Sequence, residues 1–326
     1  MGYLSKVELH LHLDCSLSFD VVSRLDPSVT RGEFEADFIA PPRCTSLADF
    51  LTRAPRGFRL MQSEDTLRLV TEDIFQQLVA DRVIYAEIRF APLLHLEGGL
   101  SPEAVVTAVD RATERCIETT GVEARLILCT LRHFSRGQSL LTAKLVNRFK
   151  GTRVVALDIA GDEAGYPIDS HIPAYRYAID HGLNRTAHAG EAAGPESVWE
   201  TLRAFQPTRI GHGVRSSEDA SLVEHLVRER IHLEVCPTSN VQTCTCAAYG
   251  EHPVDRLFRA GVSLGINTDT RTITNVTLEQ EYARLREHFG WGDEELLACN
   301  REAVRAAFVE EPIRQRLLSL LGARAG

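Results

Sequence analysis

Lysine is almost missing from this chain. Among 326 residues it occurs only at positions 6, 144 and 150, so 33 of the 36 basic residues are arginine. Schiff-base chemistry and a carboxylated-lysine bridge between two metals thereby lose their usual source. No apolar run approaches the ~18 residues of a membrane-spanning helix. The opening MGYLSKVELHLHLD lacks the apolar stretch of an export signal. No C-x-x-C pair occurs among the eight cysteines, and without an export signal they read as reduced thiols of a cytoplasmic protein. Cys244 and Cys246 form a C-x-C in an expected loop, with no ligand cluster beside it. No G-x-G-x-x-G follows a strand, which weakens a dinucleotide-binding reading. Acids outnumber bases 45 to 36, for a net charge of −9. That balance argues against nucleic-acid or anionic-membrane partners and favours a small or neutral one. The sequence leaves the oligomeric state open.

What is present is alternation. Short apolar or β-branched runs occupy 7–13, 84–90, 124–131, 154–159, 185–188, 209–211, 232–235 and 263–267. Amphipathic stretches at 63–79, 102–119, 174–181, 197–205, 219–229 and 253–260 separate many of them. Strand–helix alternation predicts an α/β fold with a parallel sheet. Eight such units fit a (β/α)8 TIM barrel, read as a single domain over 1–326. The connection 16–80 is long for one β–α crossover, predicting a helical insertion after the first strand with helices at 46–54 and 63–79. Leu47, Phe50 and Leu51 would lie over the barrel mouth or close a small satellite core. One helical stretch at 294–321 is expected outside the barrel.

Polar residues gather at the expected C-terminal strand ends: His10, His12 and Asp14, then Gly161 to Glu163, His188 and Glu191, His212, and Asp269. In a parallel barrel these ends share one rim, so residues distant in sequence converge. His10-x-His12 on a strand points both imidazoles to one side. Alone, the pair fits a hydrogen-bonded interior as well as a metal. With His188 and Asp269 it becomes a ligand set suited to Zn²⁺, with water completing the shell. Zinc would bring that water's pKa toward ~7, as a hydrolase needs. Glu191, three residues after His188, reads as a proton donor rather than only a helix N-terminal carboxylate, because Gly190 permits a tight turn. His212 is either a fourth ligand or a group that orients the water. Asp269 would bind metal and take a proton, or serve only as a bonding partner for nearby amides. The other histidines (95, 133, 171, 181, 225, 232, 252, 288) are expected at the surface or in the core.

These motifs resemble, in order, those of the adenosine deaminase family of the amidohydrolase superfamily. They are Val-Glu-Leu-His10-Leu-His12-Leu-Asp14, Asp158-Ile-Ala-Gly161-Asp-Glu, His188-Ala-Gly-Glu191, Arg209-Ile-Gly-His212-Gly, Glu234-Val-Cys-Pro-Thr-Ser-Asn240 and Asn267-Thr-Asp269. The resemblance implies one zinc ion per chain, held by His10, His12, His188 and Asp269. It implies that Asp269 accepts the water's proton and that His212 orients the nucleophile. Glu191 would protonate purine N1 while C6 is attacked and ammonia lost. The Gly161 backbone would meet N3, and Asp14 and His12 would lie near the ribose 5′ end. Two positions depart from the family pattern. Thr270 stands where many members carry a second Asp facing N7; a hydroxyl still donates to that acceptor. Cys15 replaces a frequent Gly and would crowd the ribose side.

The implied activity is hydrolysis of the C–N bond of a cyclic amidine. Adenosine and 2′-deoxyadenosine are the first expected substrates. Aminodeoxyfutalosine and adenine are the alternatives, and a non-catalytic zinc- or nucleoside-binding barrel is a distant one. A binuclear metallohydrolase is disfavoured because the fourth strand, 154–159, has no lysine. A cytidine-deaminase site is disfavoured because neither His95/Glu97 nor His232/Glu234 is completed by P-C-x-x-C.

Overall fold

The computed structural model describes residues 4–322; the ends of the expected 1–326 span lie outside the described residues. Eight strands form one parallel succession: β1 (Lys6–His12), β2 (Val83–Phe90), β3 (Glu123–Leu131), β4 (Val154–Ala160), β5 (Asn184–Ala189), β6 (Arg209–His212), β7 (His232–Val235) and β8 (Leu264–Ile266). Each pairs with the next in sequence, the order of a (β/α)8 barrel. The expected strands fall within these bounds or a few residues of them.

The seam between β8 and β1 closes differently. β8 is three residues long, so the pairing continues beyond it through a parallel bridge between Leu11 and Asp269. The Asp269 amide donates to the His10 carbonyl at 3.1 Å, and the His12 amide donates to the Asp269 carbonyl at 2.8 Å. Below that bridge the Asn267 side-chain oxygen accepts from the Leu9 and His10 amides at 2.7 and 3.1 Å. A side chain thus satisfies β1 donors that lack a strand partner.

Helices cover the outside, and their ends follow local chemistry. Ser101 caps the helix Pro102–Thr120, Pro102 occupies its first turn, and Gly121 ends it at φ 75°. Buried Val105, Val106 and Val109 face the strands. The β1–β2 connection carries five helices: Phe19–Leu25, Arg31–Asp37, Leu47–Leu51, Ala54–Phe58 and Glu64–Ala80. The sequence reading has only two there, and its first helix, 46–54, is two short ones. Leu47 and Phe50 pack with Ala40, Cys44 and Ile273 into a small separate core. At the C-terminal end the expected single stretch is also two helices, Asp293–Ala306 and Glu311–Gly322. They join Val7, Leu9 and Tyr85 in a second apolar cluster.

Candidate functional site

All the candidate residues converge on one end of the barrel. His12, Asp14, Gly161, His188, Glu191, His212, Asp269 and Thr270 line one cavity of about 440 Å³, and fully buried His10 lies beneath it. Cys15 lines it too, packed against the small Leu47 and Phe50 cluster. The opposite wall is apolar, built by Leu47, Phe50, Leu51, Pro55 and Phe58 of the β1–β2 connection. Both sequence readings of that patch therefore hold, as satellite core and as wall of the mouth.

The ligand atoms offered by His10, His12, His188 and Asp269 all lie within 4.8 Å of one another. His12 Nε2 is 3.2 Å from His188 Nε2. Asp269 Oδ1 is 3.4 Å from His10 Nε2 and 3.5 Å from His12 Nε2. Ligands on a tetrahedral zinc at about 2.0–2.1 Å stand about 3.3 Å apart, so this spacing fits one small cation. His10 Nε2 is buried without a hydrogen-bond partner, the condition of a nitrogen waiting for a metal. Its other ring nitrogen, Nδ1, donates to Glu234 at 2.9 Å. His188 Nδ1 likewise donates to Asp158, at 3.2 Å. Each carboxylate keeps the proton on Nδ1 and the Nε2 lone pair free.

Two of these residues adopt backbone conformations that L-residues rarely take: His212 at φ 59° and Asp269 at φ 68°. Hydrogen bonds hold them there. Ser239 Oγ donates to Asp269 Oδ2 at 2.7 Å, and Asn240 Nδ2 donates to His212 Nδ1 at 3.1 Å. The residue before His212 is glycine for steric reasons. A Cβ there would stand 2.9 Å from His10 Cε1 and 3.2 Å from the His188 ring. Gly190 turns at φ 70°, as the reading of Glu191 requires.

Glu191 is 3.6 Å from His212 Nε2, and its Oε1 is buried without a partner. Burial, then the charges of Asp269 and Glu163, push its carboxyl well above the ordinary range, so it keeps a proton. Burial, with His10 adding to it, holds His212 well below its usual value and hence neutral. For Asp269, burial opposes ionisation, but the imidazoles around it, His10 first, outweigh it and hold the carboxyl well below the usual range. Burial pushes Asp14 up to about 6; its Oδ2 accepts from the Ala91 amide at 3.1 Å. Thr270 Oγ1 is buried and unpartnered among the described residues, at the cavity wall. Arg271 turns the other way and pairs with Glu8 and Asp81 at 2.7 and 3.0 Å.

The sequence reading gave no role to several contributors. Asp158, Glu234, Ser239 and Asn240 stand within quoted motifs but support the rim from behind. Glu163 accepts from the amides of Gly190, Glu191, Ala192 and Ala193 and from Ser197 Oγ, at 2.6–3.0 Å. One carboxylate thus fixes the loop that carries Glu191. His133 is exposed, as expected, and also lines the cavity.

A family model described as adenosine deaminase matches residues 5–323. The adenosine deaminase of Clostridium acetobutylicum is 34% identical over 325 residues, covering 98% of this chain and 97% of its own length. Among solved structures, the N6-mAMP deaminase of Arabidopsis superposes with a TM-score of 0.87 at 25% identity, covering 98% of both chains. The adenine deaminase of Arthrobacter aurescens superposes at 0.90 over 98% of both chains; at 24% identity that likeness speaks for the fold alone.

Proposed function

We propose a substrate and a mechanism from one premise: the chain belongs to the adenosine deaminase family, and is a hydrolase acting on C–N bonds. The reading is zinc-dependent deamination of a purine nucleoside, with adenosine and 2′-deoxyadenosine giving inosine, 2′-deoxyinosine and ammonia. His10, His12, His188 and Asp269 would hold one zinc ion. Bound there, zinc supplies a Lewis acid that makes water a nucleophile near neutral pH. Glu191 gives its proton to purine N1 as water adds to C6, so the ring accepts the electron pair. Asp269 takes one proton from the water and passes it to the leaving amine, which departs as ammonia; the proton of the C6 hydroxyl returns to Glu191 as the carbonyl forms. Neutral His212 orients the nucleophile. The Gly161 backbone meets N3, Thr270 Oγ donates to N7, and Asp14 with His12 faces the ribose.

The observation that carries this reading is a four-atom ligand set with the buried carboxyl of Glu191 facing the same cavity. A site that only binds has no use for that acid. A nucleoside is favoured over a nucleotide because neither lysine nor arginine is among the cavity-lining residues. A phosphate would find no fixed cation there. Among the described residues no helix is long and apolar enough to cross a membrane, and all eight cysteines are free thiols. Both fit the proposal of a cytoplasmic enzyme acting as one unit over 1–326.

The test is ammonia release by zinc-loaded protein from adenosine, 2′-deoxyadenosine, adenine, AMP and aminodeoxyfutalosine. Adenosine or deoxyadenosine should give the highest kcat/KM. A higher value for AMP would overturn the nucleoside reading, and one for adenine or aminodeoxyfutalosine would reassign the substrate.

A further inference from the structure

Arg89 has no part in the mechanism above, yet it lies fully buried inside the barrel on β2. Its Nη1 donates to Asp158 Oδ2 at 2.7 Å. Its Nη2 donates to Glu234 Oε2 at 2.5 Å and to the Leu9 carbonyl at 2.6 Å. These are the carboxylates that accept from His188 Nδ1 and His10 Nδ1. Five side chains from β1, β7, β2, β4 and β5 therefore form one line: His10, Glu234, Arg89, Asp158, His188.

We propose that Arg89 is a positioning residue that sets two candidate zinc ligands, His10 and His188, as a pair. The argument is geometric. A carboxylate orients an imidazole only if it is itself held, and two buried carboxylates behind one site repel each other without a cation between them. Guanidinium is planar and offers nitrogens in a rigid fork, so it fixes two carboxylates at once and in one plane. A lysine in its place would supply the charge but not the fork. Arg89 also ties the assembly to the β1 backbone through Leu9, one residue before His10. Glu234 is braced from its other oxygen as well, by Arg209 Nε at 2.7 Å. Among the described residues Asp158 has no second cation besides Arg89, so the His188 side depends more heavily on Arg89.

This inference rests on the metal reading given above, and the experiment separates the two. Zinc affinity of metal-free protein is measured by competition with a chromophoric chelator, for the wild type and for Arg89→Lys, with circular dichroism and Tm recorded for both. Wild-type protein that takes up no zinc would end the metal reading itself. With zinc bound by the wild type, Arg89→Lys should fold and lose about 10–100-fold in zinc affinity. An affinity within twofold of the wild type overturns the role of Arg89. Should Arg89→Lys fail to fold, ¹⁵N-histidine NMR of the metal-free wild type decides. His10 and His188 should both carry the proton on Nδ1, and an Nε2–H tautomer at either ring overturns the proposal.

Discussion

Strands β1 to β4 run for 7, 8, 9 and 7 residues, whereas β5 to β8 run for 6, 4, 4 and 3. The difference extends to how the strands end. At the C-terminal ends of the first four, the left-handed turn falls on Gly161; in the second four, Gly190, His212, Gly213 and Asp269 all take it. His10 and His12 need only the alternation of an ordinary strand to face the same way. His212 ends β6 and Asp269 lies just past β8, and left-handed backbone aims both, at a cost of about 1–3 kcal/mol each. Long strands hold position; short ones give up pairing for direction. The comparison predicts that removing apolar core side chains from the long strands is felt as lost stability, and that changes at the turns ending the short ones are felt as lost chemistry.

The sharpest test in the second half is Glu191→Gln. It should cut kcat by about 10²–10⁴, or about 3–5 kcal/mol of barrier, with zinc content and Tm held. A near-wild-type kcat would remove Glu191 from its role. In the first half, Leu126→Ala on β3 should cost about 2–5 kcal/mol in urea unfolding, with kcat per folded site unchanged. A loss of kcat without a loss of stability would break the comparison. Glu281, on the helix Leu278–Phe289 after β8, brings a pH term into the second half. Burial pushes it up to about 7 from 4.5. The folded carboxyl keeps a proton that the unfolded one sheds, so stability falls as pH rises between those values. Glu281→Gln should flatten that part of the stability–pH curve; an unaltered slope would assign it elsewhere.

Gly211→Ala touches both properties, because its Cβ would press on His10 and His188. It should cost about 1–3 kcal/mol and lower the zinc content measured by elemental analysis. The smallest effect is expected from Thr270→Ala: about one neutral hydrogen bond, ~1 kcal/mol, read in KM for adenosine. An unchanged KM and kcat/KM would take Thr270 out of the pocket.

The strand order and the rim residues were legible because both follow from periodicity. An H-x-H on a β-run, and polar residues just after apolar runs, carry their geometry in their spacing. The braces were harder to read. Arg89, Asp158 and Glu234 are charged residues within strands, and no spacing rule joins three points on three strands until the barrel closes. The helices Phe19–Leu25 and Arg31–Asp37 are seven residues each, too short for a clear helical period. Their start signals were present all the same. Ser18 accepts from the Val21 amide, and Thr30 with Glu33 forms a capping box. The break near Pro312 was similarly visible, since that proline sits in the first turn of the helix Glu311–Gly322. The glycines on either side of His212 pointed to close backbone packing but not to its partners, because the crowding that Gly211 relieves comes from residues about 200 and 20 positions away.

The bridge between Leu11 and Asp269 has a consequence for when the protein becomes competent. The carboxylate proposed to complete the metal site sits on the same residue whose backbone latches the last strand to the first. A growing polypeptide would carry His10 and His12 from the outset, yet it could not assemble that site until some 260 further residues had been made and folded around it. On the proposed ligand set, the complete metal site would therefore form only as the ring closes.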